Sequence, residues 1–210
     1  MKIGKIKELC KKSGQIIKTE IVTEESILKG RPERVFVGSE NASYRVSPVY
    51  WGFRPEELAD LWEIPSKAQE KMFMDEDVRN FSLAEDERFK DNFPGEICVG
   101  TEGFSFIFCD FEWKVFYTEK KGKYLFIPAE WLKPVDFEDE ETTFWLRGNY
   151  LGIKKGFYLE GEVLVPDIET LKDGLFSPNL PILAAALYKL CEISKAINEE
   201  KEMRGEQNGE

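Results

Sequence analysis

Forty carboxylates and no imidazole decide which reactions this 210-residue chain can run. Ser-His-Asp and Cys-His nucleophiles, His-ligated zinc and His proton shuttles each need a histidine. The chain alone builds none of them. What remains is carboxylate chemistry, in which two acids work as acid and base or hold a divalent ion. No spacing singles out such a pair among the forty. The stretch from Asp75 to Asp86 has the length of a calcium loop, but Arg79 replaces a ligand and Asn80 stands where the turn-forming glycine belongs. Asp136, Glu138 and Glu140 could hold a divalent ion only weakly. Phosphate-cradling glycine loops and the G-x-S-x-G elbow do not occur. The nearest stretch, Gly100-Thr101-Glu102-Gly103, puts an acid where a phosphate would sit. The expectation is a protein that is not an enzyme and carries no cofactor and no metal. A carboxylate- or metal-dependent hydrolase is the outlying alternative.

Binding chemistry is better represented. The formal net charge is −11, and it is uneven. Residues 1–34 carry a net +4, whereas residues 75–112 carry −8. A second acidic knot runs Asp136-Phe137-Glu138-Asp139-Glu140-Glu141. Such charge repels phosphate backbones and steers basic partners. Trp and Tyr are favoured anchors at interfaces, and Tyr50-Trp51-Gly52-Phe53 supplies a cluster of them. The partner-binding candidates are therefore Asp136, Glu138, Asp139, Glu140 and Glu141, together with Tyr50, Trp51 and Phe53. A small-molecule binder for a nucleotide signal is the alternative. It would use Lys120, Lys121, Lys123, Lys154 and Lys155 in two converging turns.

These residues need elements to hold them. Ile3, Ile6, Leu9 and Cys10 recur at helical spacing, and Gly14 can end that helix. Residues 15–23 read as a strand, and 34–37 with 42–46 as a hairpin. Pro55 opens a short helix whose face is Leu58, Leu61 and Trp62. Ser66 and Gln69 suggest a capping box for a second helix through Met72. Residues 75–95 read as a long acidic loop or insertion. Strands follow at 104–111, 113–118, 123–127, 142–146 and 157–165, with Phe104, Phe106 and Phe108 sharing one face as a core stripe. Residues 181–198 form an amphipathic helix with Leu183, Leu187, Leu190 and Ile197 as its stripe. That stripe packs on the sheet or on a second copy in a homodimer. Residues 199–210 read as a charged, disordered tail. The fold class expected is α+β, with a mostly antiparallel sheet, short helices and a long amphipathic C-terminal helix, in one domain spanning 1–198.

The four cysteines, Cys10, Cys98, Cys109 and Cys191, form no C-x-x-C pair and read as buried small hydrophobes in a reducing compartment. No apolar run reaches membrane-span length, and no signal-peptide pattern opens the chain. A cytoplasmic location, without membrane or direct nucleic-acid partners, is expected.

Four stretches carry a resemblance. They are Ile6 to Cys10; Phe53 to Phe73, reading FRPEELADLWEIPSKAQEKMF; Phe126 to Pro134, reading FIPAEWLKP; and Gly156 to Pro166 with the Leu-rich helix ending near Cys191-Glu192. Together they are similar to a group of uncharacterised soluble proteins from phages and prophages of clostridia-like bacteria. The resemblance implies a phage origin and an intracellular, non-virion domain, and it brings no activity. In that setting the acidic surface suggests a counter-defence inhibitor or nucleic-acid mimic that engages a host protein, one that handles nucleic acid being the apt target.

Overall fold

The structure is a computed structural model that describes residues 2–80, 88–108, 111–118 and 123–166, without the side chains of 102–104, 106, 108 and 123. The chain divides into two compact units, Met1–Val165 and Pro166–Glu210. The first is an α+β fold built on a ten-stranded sheet. The helix expected at 181–198, its dimer stripe, Cys191 and the tail from 199 lie outside the described residues, as do Cys109, Lys120 and Lys121.

Helix α1 (Ile3–Ser13) buries Ile6, Leu9 and Cys10, and Gly14 ends it in the left-handed conformation at φ 68°. Glycine adopts that conformation without a Cβ clash. Strand β1 (Gln15–Val22) leads to α2 (Glu24–Leu28), a single turn absent from the sequence reading. Thr23 and Ser26 cap it reciprocally, at 3.2 and 2.7 Å. The hairpin β2 (Arg34–Gly38) and β3 (Ala42–Arg45) forms as expected. In α3 (Pro55–Leu61), Leu58 is buried but Leu61 is half exposed, because the helix ends there and Trp62 turns inward instead. Ser66 does not cap α4 (Ser66–Gln69). Pro65 holds the cap position, and the Gln69 amide donates to the Ile64 carbonyl at 2.8 Å.

The largest departure lies in the expected acidic loop. Residues Phe73–Asn80 form β4, which pairs in parallel with β1. Every other neighbouring strand pair in the sheet is antiparallel. Beyond it come β5 (Ile97–Phe108), β6 (Phe111–Thr118), β7 (Lys123–Pro128), β8 (Thr142–Arg147), β9 (Tyr150–Lys155) and β10 (Tyr158–Leu164). Strand β9 was hidden from the sequence reading. Gly148, at φ 60°, and Asn149 form a two-residue turn that joins β8 to it. Phe157 accordingly falls in the next turn, exposed, and does not begin a strand.

The strand order is β4-β1-β2-β3-β10-β9-β8-β5-β6-β7. Strand β5 serves two neighbours in turn: Ile97–Val99 pairs with β8, and residues from Gly100 onward pair with β6. The sheet therefore curls. Ile16 of β1 and Ile127 of β7, far apart in strand order, share one core with Ile6 and Leu9 of α1 and Leu58 of α3. The hydroxyl of Tyr44 donates to the carbonyl of Trp131 across that core. The Cys10 thiol points into it, within 3.5 Å of the Gly38 carbonyl, and burial pushes its pKa up to about 12. Cys98, by contrast, is exposed, which corrects the expectation that it is buried. The opposite face of the sheet has a small core of its own, formed by Ile21, Phe36, Phe89 and Leu159.

Candidate functional site

The acidic knot sits on a turn between the 3-10 segment Ala129–Leu132 and β8. The backbone shapes it: the Thr142 amide donates to the Asp139 carbonyl at 2.9 Å, and the Gly156 amide to the Glu141 carbonyl at 3.2 Å. Three of the five acids already have cations. Asp136 lies 3.6 Å from Lys2, Asp139 accepts from Lys155 at 2.7 Å, and Glu141 lies 3.8 Å from Lys155. The hydrogen bond from Lys155, seconded by the Glu141 amide, holds the Asp139 carboxyl below its usual range. The same bond holds the Lys155 ammonium above its own.

Glu138 and Glu140 are different. Both are exposed, and no ion pair joins either to a cation of the described residues. Between the two halves of the knot stands Phe137, an aromatic that the sequence reading passed over. It is 39% exposed, stacks on Phe144 with centroids 5.3 Å apart, and carries the Lys114 ammonium 4.6 Å above its ring. With Phe111, Leu132, Lys133 and Val135 it lines an open cleft of about 370 Å³. That volume lies within the range of small-ligand and side-chain pockets. The signal available in the sequence was a lone phenylalanine flanked by acids, where solvation alone would favour a polar residue.

Tyr50, Trp51 and Phe53 are placed elsewhere, in and just after the 3-10 turn Pro48–Tyr50. All three are half-buried and pack against the main core. The Trp51 indole N–H is buried without an acceptor among the described residues. These aromatics thus hold the turn against the core through most of their surface, leaving only their rims to solvent.

Lys154 is not available to a nucleotide. It is buried and ion-paired to Glu96. It belongs to a charged network beneath residues 88–96, which cross the second face of the sheet as a strap. Arg147 of β8 is 1% exposed, and so is the side chain of Glu162 of β10, whose Oε1 it reaches at 2.8 Å. A second Arg147 donor goes to the Lys90 carbonyl, and its Nε lies 3.4 Å from Glu96. Gly152 makes the arrangement possible, since a Cβ there would overlap the Arg147 side chain at Cδ. Arg88 closes the other Glu162 oxygen at 3.0 Å and lies over the Tyr150 ring at 4.1 Å. Arg34 pairs with Asp91, which also accepts the Leu159 amide at 2.8 Å. Burial pulls the Arg147 guanidinium below its usual range, opposed by the charges of Glu162 and Glu96. Phe89, in the left-handed conformation at φ 66°, turns its ring onto Phe36 at 4.8 Å and pins the strap. For a residue with a Cβ that conformation costs about 1–2 kcal/mol, which the buried ring offsets.

Among the described residues no group of three or more His, Cys, Asp or Glu side chains is placed to hold a metal ion. Among them, too, no helix is long and apolar enough to cross a membrane. The network binds sheet to strap, and the acidic turn with Phe137 is the candidate site. Compared with family models, curated proteins and solved structures, the chain matches none of them.

Proposed function

We propose that this chain is a non-enzymatic acidic binding protein that engages a basic partner protein, a nucleic-acid-handling protein of a phage's host being the class the sequence resemblance points to. One observation carries the reading: Phe137, which lines the cleft and is itself 39% exposed, is followed by Glu138 and Glu140, two exposed carboxylates that lack a counter-ion among the described residues. An exposed apolar anchor beside unneutralised charge combines the two elements of a charge-steered interface. The ring supplies affinity on desolvation, and the carboxylates steer encounter and select the partner's charge. Asp136, Asp139 and Glu141 shape the turn through their own cations and contribute less free charge.

The test is quantitative binding to a purified basic host protein recovered with the full chain as bait. The double variant Glu138→Lys/Glu140→Lys is expected to weaken binding and flatten its salt dependence, since the exposed pairs it removes are the screened ones. Phe137→Ala is expected to weaken binding at every salt concentration. Binding indifferent to salt and to all three substitutions would sink the reading.

A further inference from the structure

The β4 edge of the sheet is a second surface, independent of the acidic turn. Among the described residues no strand lies on its outer side. The direction of its backbone groups follows from two hydrogen bonds. The Phe73 amide donates to the Gly14 carbonyl at 2.9 Å, on the β1 side. In a parallel strand the N–H and C=O of one residue point the same way, and successive residues alternate. Phe73, Asp75, Asp77 and Arg79 therefore face β1, and Met74, Glu76 and Val78 turn their peptide groups outward. The Glu76 amide agrees: its donor goes to the neighbouring Asp75 carboxylate at 2.9 Å, a local substitute for a ladder partner.

The side chains make this edge selective. Phe73 is 56% exposed and Val78 59%, so apolar surface flanks the open backbone. Around them Asp75, Glu76, Asp77 and Glu20 outnumber Lys18 and Arg79, which are engaged with Glu20 and Glu76 at 2.6 Å and with Asp77 at 2.7 Å. Acids stand on both faces of the strand, because Glu76 lies beside Lys18 on the core side and Asp75 and Asp77 alternate with it. Long open edges are templates for another strand. A second copy of β4 laid antiparallel would set these acids opposite one another, which is destabilising. A strand bearing Lys or Arg meets the opposite charge.

We propose that the outer edge of β4 accepts an extended, basic segment of a partner protein as an added strand of about six residues. The backbone of Met74, Glu76 and Val78 would supply the ladder, and Asp75 and Asp77 would choose the charge.

The probe is a blocked hexapeptide of alternating lysine and valine, titrated into the full chain by calorimetry. A matched peptide N-methylated on alternate residues keeps the charge and loses the ladder donors. The first peptide is expected to bind about tenfold or more tightly than the second, the equivalent of one or two hydrogen bonds. Val78→Pro removes an outward N–H and none of the β1 ladder, so it is expected to abolish the difference between the peptides while the thermal midpoint stays near that of the parent. Asp75→Lys/Asp77→Lys is expected to weaken the lysine peptide and leave a glutamate-valine peptide unaffected or tighter. Equal binding of the two lysine peptides to the parent chain overturns strand addition and leaves the acidic turn reading standing. A chain that sediments as a dimer through β4 and excludes the peptide also overturns it, in favour of a second copy. If Val78→Pro does not fold, the methylated peptide alone decides.

Discussion

Asp91 and Glu96 of the strap and Glu162 beneath it face a charged network, and Asp75, Glu138 and Glu140 lie on the surface. They are the same two residue types held under opposite rules. The first three lie among four cations, Arg34, Arg88, Arg147 and Lys154, each ion-paired to at least one of them. The second three are exposed and face water. The total of −11 hides this division. Part of the acid content is internal scaffolding that joins the strap to β2, β8, β9 and β10. Only the remainder can meet a partner. A carboxylate removed from water must be paired and hydrogen-bonded, whereas one left in water contributes little to stability and is free to steer.

The comparison breaks first at Glu162. Removing one member of a buried pair strands the other, at a cost of about 3–5 kcal/mol. Glu162→Gln is expected to lower stability by about 3 kcal/mol in urea titrations, since Arg147 and Arg88 both lose their shared counter-charge. Replacing both ends, as Arg147→Met/Glu162→Leu, is expected to recover part of the loss, because an apolar pair of similar volume needs no counter-charge. A Glu162→Gln loss below about 1 kcal/mol would mean that the network is not the fixture described.

Gly152→Ala tests the same network through shape. The added methyl meets Arg147 at Cδ, and Arg147, fixed at both ends, has nowhere to shift. Overpacking of this kind costs about 1–3 kcal/mol. The expected signature is a lowered thermal midpoint with binding at the acidic turn unchanged. Gly148→Ala is the contrast within the same hairpin, since open space surrounds its Cβ position and only its φ of 60° resists a side chain.

Much of the frame was legible before any coordinates. Gly14 and Pro55 mark helix ends by local chemistry, and the run at 15–22 is β-branched enough to declare a strand. The acidic turn was visible as composition. What sequence could not show was the cover on the second face. In β8 and β9 the alternation of Phe144 and Leu146 with Trp145 and Arg147, and of Leu151 and Ile153 with Gly152 and Lys154, identifies two faces. It does not say that residues 88–96, more than fifty positions upstream of Lys154, lie over the charged one. Charges in a half-buried strand ordinarily face water, so Lys154 read as a turn lysine. Strand β4 failed for a related reason. Its acids match a solvated loop in composition, and its strand character comes from pairing with β1, a contact distant in sequence.

The smallest expected effect separates the surface acids among themselves. Asp139 is depressed and Lys155 is raised by the hydrogen bond between them, with Lys155 exposed and Asp139 half-buried. A carboxyl with a lowered folded pKa contributes stability above its unfolded value, about 3.9, and loses it as pH falls through the folded value. An ammonium with a raised pKa contributes below about 10.4 and loses it as pH rises through its folded value. The pair therefore stabilises the turn between these limits, by an amount that salt screens. Asp139→Asn is expected to flatten the acid limb of a thermal-midpoint profile, and Lys155→Gln the alkaline limb. Glu138→Gln and Glu140→Gln, which break no pair among the described residues, are expected to leave both limbs as they were. If they instead moved the profile as far as Asp139→Asn, these two carboxylates would belong with the structural acids, and the division between scaffold and steering charge would fail where the proposed interface depends on it.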